Sequence, residues 1–188
     1  MIQIYGTRSS RAFRCLWALE ESALDYELVP VDWQNGDTRQ PDFLALNPNG
    51  HVPVFQDGAL TMVESLAINL HISDIAASTL SPIDPTERSK AIEWTLWAMG
   101  ELEGPHDSAN RRDTDVDDAL RRQAFGVLNQ HLGQTPYLIA DRFSVADLNV
   151  ASVLMRPKYM THVPAFDHLD AWFKNCATRP ALGRALAG

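Results

Sequence analysis

Residues 47–65, NPNGHVPVFQDGALTMVES, decide how the rest of the chain is read. The stretch opens on turn formers (Asn47, Pro48, Asn49, Gly50) and continues as two short apolar runs joined at Asp57-Gly58. Asp-Gly between alternating apolar residues is a strong short-range hairpin signal. Pro53 removes a ladder donor one residue into the first run, which predicts a bend where that strand begins. Val52-Pro53 is thereby a candidate for a cis peptide bond. Glu64-Ser65 falls where strand gives way to the helical pattern LAINLHISDIAA. The start of a helix offers free N–H groups and a positive dipole end, both of which attract carboxylates. Bent strand, hairpin and helix start together point to a site for a small acidic ligand.

Upstream, Ile2 to Tyr5 is a β-rich run ended by Gly6, and the polar GTRSS follows. Ala12, Phe13, Leu16, Trp17, Ala18 and Leu19 recur at spacings of three and four, which predicts an amphipathic helix with Ser9 or Ser10 as its cap. Tyr26 to Val31 reads as a second strand, DWQNGDTRQ as a polar loop, and Pro41 to Leu46 as a short helix. Strand-helix-strand calls for a parallel pair with a right-handed crossover, and the hairpin adds an antiparallel pair. The expected product is a mixed four-stranded sheet with helices on its faces.

Downstream, Ser78 to Glu87 is rich in Ser, Thr and Pro and reads as a linker. From Arg88 onward no strand is expected. Ala91 to Leu102 carries Ile92, Trp94, Trp97 and Met99 on a helical stripe, and Asp113 to Leu132 is a second long helical pattern. Ser144 with Asp147 three residues on reads as a capping box, flanked by Phe143 and Leu148 as a hydrophobic staple. Phe166 to Thr178 and Ala181 to Ala187 complete the helices, divided by Pro180. The expected organisation is a sheet domain over 1–78, a linker over 79–87 and an all-α domain over 88–188.

Charge narrows the function classes. With 24 acidic against 16 basic residues the 188-residue chain carries a net charge of -8, which argues against nucleic acid or an anionic membrane as main partner. No apolar run approaches the roughly 20 residues that span a bilayer. MIQIYGTRSS lacks the basic lead and apolar core of a signal peptide. Cys15 and Cys176 lie far apart in helical contexts and are expected as buried free thiols, in keeping with a reducing cytoplasm. No Cys/His cluster has metal-ligand spacing, so no metal is expected.

A small β-α-β-α-β-β-α domain followed by an all-α domain resembles the glutathione transferase superfamily. Tyr5 to Arg14 is similar to the segment that places the catalytic serine in its serine-type classes. Val52-Pro53 resembles the family's cis-proline, Glu64-Ser65 its glutamate-serine pair, and Phe143 to Asp147 the capping box of its second-domain core helix. Trp97 to Pro105 looks like a helix of bacterial members. The resemblance covers essentially the whole chain. It implies α/β plus all-α architecture: an N-terminal thioredoxin-like domain, then a C-terminal helical bundle. Two departures stand out. His51 replaces the lysine that often precedes Val-Pro, and Ser9 or Ser10 stands where one bacterial class has a catalytic cysteine. The chain is also short for the family, which implies an open second-substrate site.

The resemblance implies a cytosolic, homodimeric, serine-type bacterial enzyme using glutathione as co-substrate. It would activate the thiol as thiolate for attack on a small hydrophobic electrophile. A free thiol has a pKa near 8.5, so little thiolate exists at neutral pH unless a donor stabilises it. Ser9 and Ser10 are the candidate donors, with Ser9 favoured by the alignment of Arg14, and Tyr5 is the rival. Val52, held by Pro53, would pair its backbone with the cysteinyl part of glutathione. Glu64 and Ser65 would hold the γ-glutamyl group, and His51 and Trp33 the glycyl end. Glu103, His106 and Asn110 are implied at the second-substrate site. Alternative readings are a glutathione-dependent isomerase, dehalogenase or peroxidase, and a non-enzymatic binding or stress-response module on the same fold.

Overall fold

The computed structural model describes residues 1–103 and 114–187, with side chains from residue 119 onward in the second stretch. The chain divides into two compact units, Met1–Ser81 with Pro180–Gly188, and Pro82–Arg179.

The first unit is built on a four-stranded mixed sheet in the order β2-β1-β3-β4, with β1 at Ile2–Gly6, β2 at Tyr26–Pro30, β3 at Val54–Asp57 and β4 at Leu60–Val63. β1 runs parallel to β2 and antiparallel to β3, and β3 pairs antiparallel with β4. Helix α1 (Ala12–Ser22) connects β1 to β2, α2 (Pro41–Leu46) lies between β2 and β3, and α3 (Ser65–Ala76) follows β4. The loop expected between β2 and α2 contains two 3-10 turns, Trp33–Asn35 and Asp37–Arg39. The hairpin turn lies one residue later than the sequence suggests. Asp57 pairs with Leu60, and Gly58 takes a φ of 56°, a region where a side chain is strained.

Strand alternation sorts the two faces of the sheet. Ile4 pairs with Phe55, both are fully buried, and the Phe55 ring meets His71 of α3 edge-on at 5.4 Å. Tyr5, Val54 and Val63 face the other way and pack with Val31, Phe43 and Leu46 on the α2 side. Each fully buried aliphatic or aromatic side chain contributes about 1.5–3 kcal/mol. Helix α1 packs on α3 on the first face and also on the last helix, α9 (Pro180–Leu186), so the chain's end returns to this unit. Pro180 does not divide two helices from outside. It occupies the first turn of α9, where its missing N–H costs nothing.

The second unit, among its described residues, has helices and no strand: α4 (Pro85–Trp97), a π turn (Ala98–Glu103), α5 (Thr114–Leu132), α6 (Val145–Leu154), α7 (Pro157–Met160), a 3-10 turn (Val163–Ala165) and α8 (Asp167–Ala177). Residues read as linker already belong to α4. The Asp84 side chain accepts from the Glu87 N–H at 2.8 Å, Pro85 follows it, and Glu87 reaches back to the Ile83 N–H at 3.0 Å. Every residue of α6 is buried. Its Asp147 carboxylate accepts from the Ser144 N–H, the Ser144 hydroxyl, the Leu138 N–H and the Trp172 indole, all at 2.8–2.9 Å. Burial pushes that carboxyl up, and these four donors pull it back. No helix among the described residues is long and apolar enough to cross a membrane.

Candidate functional site

Gly6, at the end of β1, is the pivot of the site. A side-chain carbon there would lie 2.7 Å from Ala12 Cβ, 3.2 Å from Ser10 Oγ and 3.4 Å from Val52 Cβ. With a φ of 149° as well, only glycine lets the start of α1 and Val52 close on one point.

The two serines differ in their surroundings. Ser10 is buried, donates its hydroxyl hydrogen to the Thr7 carbonyl at 2.7 Å, and accepts from the N–H groups of Thr7 and Ala12, both at 3.2 Å. It closes the loop and caps the first N–H of α1, which leaves no hydrogen for a ligand. Ser9 is exposed, and its one hydrogen-bond contact among the described residues is the Thr7 hydroxyl at 3.1 Å. Tyr5, the rival donor, is not free: its hydroxyl is bonded to Gln56 Oε1 at 2.7 Å, with Gln3 Oε1 at 3.3 Å. Its ring lies in the core on the α2 side.

The Val52-Pro53 bond is cis. Pro53 is buried, and Val52 precedes β3, so among the described residues its backbone N–H and carbonyl join no ladder and no turn. The loop before it is pinned by Asn47, which donates from Nδ2 to the His51 carbonyl at 2.7 Å and accepts from the Asn49 N–H at 3.1 Å. The His51 side chain is left exposed.

Glu64 immediately precedes α3 with φ 70° and ψ 103°, a sparsely populated conformation for a residue with a side chain. Such strain costs about 1–3 kcal/mol and gathers at functional sites. Glu64 is exposed, and its carbonyl accepts the Ile68 N–H at 2.9 Å. Ser65 is the first residue of α3 and is buried. Arg14 of α1, 1% exposed, donates from Nη1 to Ser65 Oγ at 3.3 Å. The hydroxyl is thus an acceptor toward Arg14, and its own hydrogen has no acceptor among the described residues. Carboxylate-binding elements coincide here: a hydroxyl donor, the positive dipole end of a 12-residue helix, and a buried guanidinium beneath them.

Arg39 is a member of this region that the sequence did not single out. Its Nη1 lies 2.7 Å from where a Cβ at Gly50 would be, so the guanidinium covers the turn just before His51. It is exposed and has no ion pair among the described residues. No spacing rule links residues 39 and 51; only the packed turn brings them together. Trp33 is 52% exposed on the preceding loop, whose shape Asp32 fixes by accepting from Gln34 N–H and Asn35 Nδ2, both at 2.9 Å.

The expected second-substrate residues fare differently. Glu103 is 3% exposed and ion-paired with Arg156 at 3.2 Å. His106 and Asn110 lie outside the described residues. Cys15 and Cys176 are both free and buried. Burial pushes the Cys15 thiol far up, against a smaller opposing pull from Arg14, so it is no thiolate nucleophile at neutral pH.

Known proteins agree with this reading of the fold. The family model described as glutathione S-transferase, N-terminal domain, matches residues 1–74, and the one described as glutathione S-transferase, C-terminal domain, matches residues 75–180. Glutathione S-transferase 4 of Zea mays is 33% identical, the match covering 97% of this chain and 91% of that protein. The crystal structure of a theta class glutathione S-transferase from Xanthomonas axonopodis pv. citri, with glutathione bound, is 31% identical with a TM-score of 0.82, covering 100% of this chain and 97% of the other. Poplar glutathione transferase F1 superposes with a TM-score of 0.85 at 25% identity, over 98% and 96% of the two chains. With family models laid end to end over residues 1–180, the chain belongs to the glutathione S-transferase family and is a transferase with glutathione as co-substrate.

Proposed function

We propose that this protein is a serine-type enzyme in which the Ser9 hydroxyl donates to the glutathione sulfur, lowers its pKa and presents thiolate to a small hydrophobic electrophile. The observation that carries this is the division of labour between two adjacent serines: Ser10 has its hydrogen committed to the Thr7 carbonyl, and Ser9 is exposed at the lead-in to α1. The dipole of α1 adds to the same effect. Glutathione's cysteinyl amide would pair with the Val52 backbone. Its γ-glutamyl carboxylate would take the Ser65 hydroxyl and the N–H groups of α3, and its ammonium the Glu64 carboxylate. The glycyl carboxylate would lie toward Arg39 and His51, with Trp33 at its edge.

The similarity to a glutathione-bound bacterial structure supports the bacterial subtype. His106 and Asn110 are the proposed contacts to the electrophile, on the resemblance alone. The proposed homodimer has a physical basis in Ile92, Leu96 and Met99, a stripe along α4 into the π turn that is 37–65% exposed. A cytoplasmic location accords with two free thiols. For domain roles, the first unit, residues 1–81 with 180–188, would bind glutathione, and the second, residues 82–179, would serve the electrophile.

Calorimetric titration with glutathione tests the binding site. Glu64→Ala and Ser65→Ala are expected to weaken affinity about tenfold or more each, at roughly 1.5–3 kcal/mol per charge-assisted hydrogen bond. Unchanged affinity in both would remove the site.

A further inference from the structure

A cluster of charged side chains, apart from the ligand-binding groups, joins the Ser9 loop to the last helix. Arg8, immediately before Ser9, donates from Nη1 to the carbonyl oxygen of Ala185 in the last turn of α9 at 2.6 Å. Arg184 of α9 donates from Nε to Glu20 Oε2 at 2.7 Å and from Nη2 to the Glu20 carbonyl at 3.2 Å. Tyr26 of β2 donates to Glu20 Oε1 at 2.9 Å. Burial works to raise the Glu20 carboxyl, but Arg184, Tyr26 and Arg8 together hold it below its ordinary range. Loop, α1, β2 and α9 are thereby closed into one clasp.

The Arg184–Glu20 pair is partly exposed, and pairs of that kind contribute little to stability. Its geometric effect is larger. Arg8 is fixed from one side by α9, and Ser10 from the other by three hydrogen bonds. Ser9 lies between them, with its chain path held at both ends and its hydroxyl exposed. A donor to a developing or resident anion has to be held to within about 0.5 Å of its productive place.

We infer that Arg8 is a positioning residue for Ser9, and that α9, through its Arg8 and Arg184 contacts, controls how well the Ser9 hydroxyl stabilises the glutathione thiolate. The inference rests on Ser9 being the thiolate donor. Arg8 touches neither thiol nor electrophile in this role; it acts through the chain it anchors.

The test uses the full chain and four variants: Arg8→Gln, Arg8→Lys, Arg184→Met and Ser9→Ala. Ultraviolet difference absorbance of bound glutathione against pH reports the thiolate, and steady-state rates with an activated aryl chloride separate kcat from KM. Arg8→Gln and Arg184→Met are each expected to move the thiolate midpoint upward. The thiolate fraction at pH 6.5 then falls about three- to tenfold, a full pKa unit being tenfold. The kcat should fall in parallel, KM for glutathione should hold, and Arg8→Lys should restore part of the loss. A midpoint unmoved in Arg8→Gln and Arg184→Met, with only the melting temperature lowered, would overturn the inference. So would a shift in Arg8→Gln without one in Arg184→Met, since Arg8 would then act by its own charge and not through α9. A midpoint unmoved in Ser9→Ala would bring down the donor assignment itself, whatever the arginine variants do.

Discussion

Arg14 in α1 donates to the Ser65 hydroxyl at the start of α3 across 3.3 Å, from a guanidinium that is 1% exposed. The bond orients Ser65 so that its hydrogen points away from Arg14, and it places a positive charge under a helix N-terminus. Replacing Arg14 with methionine keeps most of the volume and removes both effects. Glutathione affinity should fall about tenfold, and stability by about 1–3 kcal/mol from the lost buried hydrogen bonds. Calorimetry and thermal unfolding measure the two; retention of full affinity would mean Ser65 needs no orienting partner.

The paired serines should separate cleanly. Ser10→Ala removes one donor and one shared acceptor from the loop and is expected to cost about 1–2 kcal/mol in stability, as for a lost helix cap. Ser9→Ala touches an exposed hydroxyl and should leave the melting temperature within about 1 °C, a surface change being within about 0.5 kcal/mol. Thermal unfolding of both variants checks the contrast.

Arg39 offers a prediction with an internal control. Arg39→Ala should raise KM for glutathione about three- to tenfold through loss of an exposed charge contact. The difference should vanish for glutathione amidated at its glycyl carboxylate, and shrink at high salt. A loss equal for both substrates would place Arg39 elsewhere.

Glu87 and Arg142 give a pH signature to the second unit. Two hydrogen bonds from the Arg142 guanidinium, at 3.1 and 2.7 Å, hold the Glu87 carboxyl below its ordinary range, against a smaller opposing effect of burial. A depressed folded pKa means the stabilisation is complete above the unfolded value near 4.5 and is lost as pH falls through the folded pKa. Arg142→Met should therefore be less stable than the parent at pH 7, with the gap closing below about pH 4.5. Chemical unfolding at pH 7 and at pH 3.5 measures it; a gap independent of pH would assign the loss to packing.

The sheet and most helices were legible in the sequence because each rests on short-range chemistry. The alternation in VPVFQD, the glycine of the hairpin and the periodicity of α1 are local signals, and the α2 segment was read to the residue. What escaped reading was long-range or masked by composition. Asp84-Pro85-Thr86-Glu87 has the residue types of a linker and the bonding of a helix cap; only the Asp84 and Glu87 hydrogen bonds tell the two apart. Pro180 reads as a breaker and serves as a helix start. Within the candidate site, motif spacing picked out Val52-Pro53 and Glu64-Ser65. The partners that hold them, Arg14 under Ser65 and Arg39 over Gly50, are matched across 51 and 11 positions by packing alone. Glu103 has the polarity of a ligand contact, and its pairing with Arg156 is invisible until the helices are packed.

The most direct measurement is the ultraviolet difference spectrum of bound glutathione as pH is raised, in the parent protein and in Ser9→Ala. The parent should show thiolate forming with a midpoint at least about one unit below that of the free thiol near 8.5, and Ser9→Ala should move it back toward that value. A parent midpoint equal to that of free glutathione, or one unchanged by Ser9→Ala, would contradict thiolate stabilisation by Ser9.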